Sequence, residues 1–282
     1  IFSIQPAHSV FCIFEIPKLI YMKKISFLLL LATTFGCNNT ADKKSTNGQQ
    51  DSAASTTATS TETTEPVQEP IEAVKGSKSD IPENIKMKGT LQEVWKWKDK
   101  LGENLLITTL VEPYSDKRVN EFGETGNTSE LFAFHYTKTG EVPYKQLWMM
   151  TDGVTSCPFD ITCDFIKNSI KVTDLDNDGT AETTLQYKLA CRSDVSPSNM
   201  KLIMHEGVDK YALRGLMWYG MPETDFEVTA DNANLETLPG YKKGGDDFVK
   251  EMGRYTSEKD FVSAPPPFLQ YARKQWIHFI KE

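Results

Sequence analysis

The sequence predicts a mainly β protein of the α+β kind, an antiparallel meander of successive hairpins with a C-terminal amphipathic helix. Three observations predict it. Apolar residues alternate at period two through most of the chain after residue 84. The strand-like runs come in pairs joined by short turn segments. After Pro265-Pro266-Pro267 the apolar spacing becomes that of a helix.

Residues 91–97 and 104–112 form the first pair, around Asp99-Lys100-Leu101-Gly102. Residues 131–137 and 144–150 form the second, around Lys138-Thr139-Gly140. Residues 169–173 and 182–189 flank an Asp-rich loop. Residues 201–205 and 210–216 flank Glu206-Gly207-Val208-Asp209. Phe268, Leu269, Ala272, Trp276, Phe279 and Ile280 then recur at helical spacing, and the preceding prolines suit a helix start. The Met217-Trp218-Tyr219-Gly220-Met221 run reads as core or rim.

All five Trp follow residue 84, so residues 85–282 read as one β-rich globular domain. Residues 37–84 read as a disordered Ser/Thr-rich tether. Twelve of the 25 residues from Thr40 to Thr64 are Ser or Thr, and no aromatic residue lies between Phe35 and Trp95. Such a segment buries too little apolar surface to offset its chain entropy. As a coil it spans roughly 40 Å.

Ahead of the tether, residues 22–36 read as a signal peptide. Lys23 and Lys24 supply the charged start and residues 25–32 the short apolar stretch. Residues 1–21 precede the first Met and read as upstream translation or an artefact. Gly36-Cys37 resembles a bacterial lipobox, although Thr34 stands where Leu is usual. That resemblance implies lipidation of Cys37, attachment to a membrane by acyl chains, and an outer-membrane lipoprotein of the cell envelope, facing the periplasm or the cell surface. Asp51-Ser52-Ala53 resembles an O-glycosylation acceptor, with Ser52 the modified residue; an ordinary linker is the alternative.

Formal charge is −8 over 282 residues, and the chain after the leader is more acidic still. Nucleic acid, held mainly through Lys and Arg on phosphates, is a poor partner for it. No apolar run reaches the roughly 18 residues of a membrane-spanning helix.

The sharpest motif is Asp174-Leu175-Asp176-Asn177-Asp178-Gly179-Thr180-Ala181-Glu182. Asp174, Asp176 and Asp178 at positions 1, 3 and 5 converge three carboxylates. Gly179 permits the tight turn. Thr180 can offer its carbonyl, and Glu182 can bind directly or through water. Hard oxygen ligands in this number suit Ca²⁺. Position 12 is Leu185 rather than Glu, and the flanks are strands, so this is no full EF-hand. A further ligand must come from elsewhere, or affinity is low. The loop resembles the D-x-D-x-D-G loops of integrin-like propeller repeats, but in one copy. The alternative is a solvated turn whose Asp and Gly residues serve the turn alone.

Of the five Cys, Cys12 lies in the leader and Cys37 at the lipobox. Cys157, Cys163 and Cys191 remain. An exported compartment permits disulfides, and three thiols leave one over. Cys157–Cys191 is the favoured pair, closing a loop around the Asp motif; Cys163–Cys191 is the other. His135 and His205 sit on separate strand runs and read as strand residues, not as a zinc site. The sequence holds no G-x-S-x-G, H-E-x-x-H or P-loop, so catalytic residues are unassigned.

Cys157-Pro158-Phe159-Asp160, the Asp loop from Thr173, Cys191-Arg192-Ser193-Asp194-Val195-Ser196-Pro197 and Lys201-Leu202-Ile203-Met204 together resemble a Bacteroidota envelope family labelled "surface polysaccharide biosynthesis protein". The likeness covers about residues 130–220. It implies an envelope location and names a process rather than a reaction. Two functions follow as expectations. One is a lipid-anchored binding or structural module for a glycan or an envelope protein. The other is an enzyme or accessory factor of surface polysaccharide synthesis. A cleft with two carboxyl groups about 5–9 Å apart would favour the enzyme.

Overall fold

Most strands in this chain pair with the next strand in sequence, which is what short turns between alternating runs enforce. The computed structural model describes residues 71–220, 227–245 and 248–282, all of them within one compact unit, Glu62–Glu282. The leader, Cys37, Ser52, the tether up to residue 70 and Met221 lie outside the described residues.

Five strands form the first sheet in the order β1-β2-β3-β4-β5: β1 (Val74–Lys75), β2 (Thr90–Asp99), β3 (Gly102–Val119), β4 (Thr125–Lys138) and β5 (Lys145–Cys157). The second sheet runs β10-β9-β8-β6. It holds β6 (Asp160–Phe165), β8 (Glu182–Arg192), β9 (Asn199–Glu206) and β10 (Asp209–Leu216). The three-residue β7 (Lys171–Thr173) lies beyond β6 along the same edge of β8. Every pairing between these strands is antiparallel.

The expected hairpins are all present, but they make two meanders rather than one. The break falls after β5. Ser156 adopts a φ of +49°, and Pro158 has no N–H to continue a ladder. Alternation alone does not reveal where a meander folds over on itself.

Folding over creates the main core. Leu106, Leu131, Ala133, Trp148 and Met150 of the first sheet meet Leu185, Tyr187, Ile203 and Ala212 of the second. Leu105, Ile107, Phe132 and Phe134 point the other way, as period two requires. Residues 81–87 cover them, with Ile85 buried among them. The far face of the second sheet carries Met200, Leu202, Met204, Tyr211 and Leu213. The C-terminal helix (Pro266–Phe279) packs there through Phe268, Ala272 and Trp276. Trp276 Nε1 donates to the Gly253 carbonyl at 2.9 Å. Met217 joins this core, as its run suggested.

One boundary needs correction. Composition assigns residues 37–84 to the tether, yet residues 71–84 belong to the fold. Val74 and Lys75 pair with Lys96 and Trp95, Gly76 N donates to the Val94 carbonyl at 2.9 Å, and Asp80 pairs with Lys96. Two residues of strand addition are too few to register in a composition count.

Candidate metal centre

The Asp-rich loop joins β7 to β8, at the end of the second sheet nearest the β2–β3 turn. Two backbone positions make it tight: Asn177 (φ +59°) and Gly179 (φ +86°) both take left-handed conformations. Its amides turn inward onto its own carboxylates. Gly179 N donates to Asp174 Oδ2 at 3.2 Å, Asp178 N to Asp176 Oδ1 at 3.2 Å, and Thr180 N to Asp178 Oδ1 at 2.6 Å.

The first sheet holds the loop in place. Lys100 N donates to the Gly179 carbonyl at 2.9 Å. The Asp99 carboxylate accepts from Ala181 N (3.1 Å), Trp97 Nε1 (2.9 Å), Leu101 N (2.8 Å) and Asn104 Nδ2 (2.8 Å). One side chain therefore ties the β2–β3 turn to the start of β8.

Carboxylate oxygens of Asp174, Asp176 and Glu182 lie within 4.8 Å of one another, and so do those of Asp176, Asp178 and Glu206. Asp174, Asp176 and Glu182 thus meet as the spacing predicts. Asp178 instead groups with Asp176 and a residue that sequence reasoning missed, Glu206. Thr180 enters through its amide and hydroxyl, both directed at Asp178.

Register explains Glu206. It stands opposite Glu182 across β8 and β9, and opposite Asp209 across β9 and β10. Residues opposite one another share a face, so the end of this sheet presents a row of three carboxylates. Like charges directly opposite are destabilising unless something compensates them.

Glu182 is fully buried. Its Oε2 accepts from the Thr173 hydroxyl (2.9 Å) and Leu175 N (3.0 Å). Its Oε1 is buried with no hydrogen-bond partner, and so is Glu206 Oε1. Burial pushes the Glu182 carboxyl up to about 8; the Asp176 and Glu206 charges add to that, while the two hydrogen bonds oppose it. Burial pushes Glu206 up to about 7, helped by Asp176, Asp178, Asp209 and Asp174. Two orphaned acceptors in an acidic cluster fit a hard cation, which would accept both oxygens as ligands. The residues able to hold it are Asp174, Asp176, Asp178, Glu182 and Glu206.

Cys157 and Cys191 form the disulfide, with S–S 2.07 Å, and Cys163 is free and buried. His135 and His205 both enter the space between the sheets, but the Trp148 ring lies against each. It stacks on His205 at 4.0 Å and meets His135 at 5.5 Å. Comparison with protein-family models, with curated proteins and with solved structures returns no match for this chain.

Proposed function

We propose that this chain is a lipid-anchored cell-envelope protein whose β-rich domain binds Ca²⁺ and acts as a binding or structural module. The observation that carries the cation half is Glu182, fully buried with one carboxylate oxygen unpartnered inside a group of acids. Glu206 supports it by supplying the ligand that Leu185 at position 12 does not. Within each of two groups of three, the carboxylate oxygens lie within 4.8 Å of one another, a crowding of hard oxygen ligands that suits a cation. The affinity expected is that of extracellular modules, about 10⁻⁴–10⁻³ M.

The anchoring half rests on the Lys23-Lys24 start, the Gly36-Cys37 junction and the polar segment after it. The membrane is the partner through the lipid, and a surface glycan or envelope protein is the partner of the domain. The resemblance to the surface polysaccharide family supports the same location.

Calorimetric titration of the purified full chain with Ca²⁺ tests the cation half. Binding heat should disappear when Asp176→Ala is combined with Asp178→Ala; an unmodified chain that takes up no Ca²⁺ refutes it. Metabolic labelling with an alkyne fatty acid tests the anchor. Cys37→Ala should abolish the label, and equal labelling of that variant refutes lipidation.

A further inference from the structure

We propose that the centre holds two divalent cations that share the Asp176 carboxylate. This rests on the cation reading above and goes beyond it in number and arrangement. The five carboxylates fall into two groups of three with Asp176 common to both. Three oxygens within 4.8 Å of one another need only small shifts to reach Ca–O distances of about 2.3–2.6 Å.

A single cation among Asp174, Asp176 and Glu182 would satisfy the buried Glu182 Oε1. It would leave the second group untouched. There, Glu206 Oε1 is also buried without a hydrogen-bond partner, beside Asp176 and Asp178. An unpaired buried acceptor set among like charges is costly. Protein cations do not meet that need. Among the described residues, no Lys or Arg forms an ion pair with Asp176, Asp178, Glu182 or Glu206.

The fold places these orphaned oxygens on neighbouring strands, since Glu182 and Glu206 are register partners. Each group therefore has one glutamate from the sheet, Glu182 fully buried and Glu206 half-buried with its Oε1 shielded, one aspartate of its own from the loop, and Asp176 between them. A carboxylate with an oxygen toward each ion is a natural bridge, because it offsets the repulsion between two cations held close together. The ions would be hard and oxygen-seeking, with Ca²⁺ the first choice on ligand type.

Native mass spectrometry of the purified full chain, titrated with Ca²⁺ alone, counts the ions. Two Ca²⁺ per chain are expected. Glu206→Gln keeps the side-chain shape and should reduce the count to one, and Asp176→Asn should weaken both sites at least tenfold. If Glu206→Gln fails to fold by circular dichroism, Asp178→Asn removes a ligand of the same group and should likewise leave one ion. One Ca²⁺ on the unmodified chain would overturn the two-ion centre while leaving Ca²⁺ binding intact, and no Ca²⁺ at all would overturn both. Two ions retained by the folded Glu206→Gln or Asp178→Asn variant would also overturn this assignment of ligands.

Discussion

His135 carries its proton on Nε2. The Asn104 amide nitrogen is spent on Asp99 Oδ1 and the Gly102 carbonyl, so Asn104 Oδ1 faces the ring and accepts from it at 3.0 Å. The ring is almost wholly buried, and burial lowers its pKa to about 4. The unfolded chain takes up this proton near pH 6.5 and the folded chain only near 4. Stability from this group is therefore complete above about pH 6.5 and is lost as pH falls toward 4, by about 3 kcal/mol. Urea unfolding at several pH values checks it: His135→Gln should show a shallower loss between pH 6.5 and 4. Parallel pH profiles for the two proteins would contradict the assignment. At this scale the Asp loop was legible in the sequence, because its acidic residues are neighbours in the chain. Glu206 was not. It reads locally as a turn residue, and only the β8–β9 register, set across the 193–198 connection, brings it opposite Glu182.

Strand β8 is pinned to the first sheet at three points along its length. At its start, Ala181 N donates to Asp99. Midway, Tyr187 donates to Asp152 of β5 at 2.6 Å, and Lys201 of β9 pairs with the same carboxylate. Near its end, Cys191 bonds to Cys157. The first and last pins are roughly 30 Å apart along the strand. The hairpins were legible because alternation and turn residues are local signals. The division into two sheets was not, since it depends on which faces find one another. The disulfide pairing was a preference between two choices, and β6 decides it. Ile161 lies opposite Cys191, and the turn before β6 brings Cys157 to the same end, while Cys163 lies opposite Leu189 and turns into the core between the sheets. Replacing Cys157 and Cys191 by Ala should cost about 3–4 kcal/mol on the loop-entropy account. Chemical denaturation measures this, and an unchanged midpoint would contradict it.

The described domain is layered. Residues 81–87 lie on the first sheet, the first sheet on the second, and the second on the C-terminal helix. Each outer face is covered by chain from one end of the domain. The acidic cluster sits where the loop of one sheet meets the turn of the other, so a cation bound there acts on the join between layers. The layer order was not legible in advance, because each strand pattern is satisfied by any apolar partner of matching size. The helix was legible as an element, but not the face it covers.

On the proposed function, Ca²⁺ binds the folded cluster in preference to the unfolded chain. Ligand linkage then adds about 2.7 kcal/mol at a hundredfold excess over Kd. For a domain of this size that is a rise in melting temperature of about 5–10 °C. The direct measurement is thermal unfolding of the full chain in EDTA and in about 10 mM Ca²⁺, the hundredfold excess for a Kd near 10⁻⁴ M. A rise of that order, lost in the Asp176→Ala, Asp178→Ala double variant, is the predicted result. Superimposable melting curves with and without Ca²⁺ would contradict the account and leave the loop a plain turn.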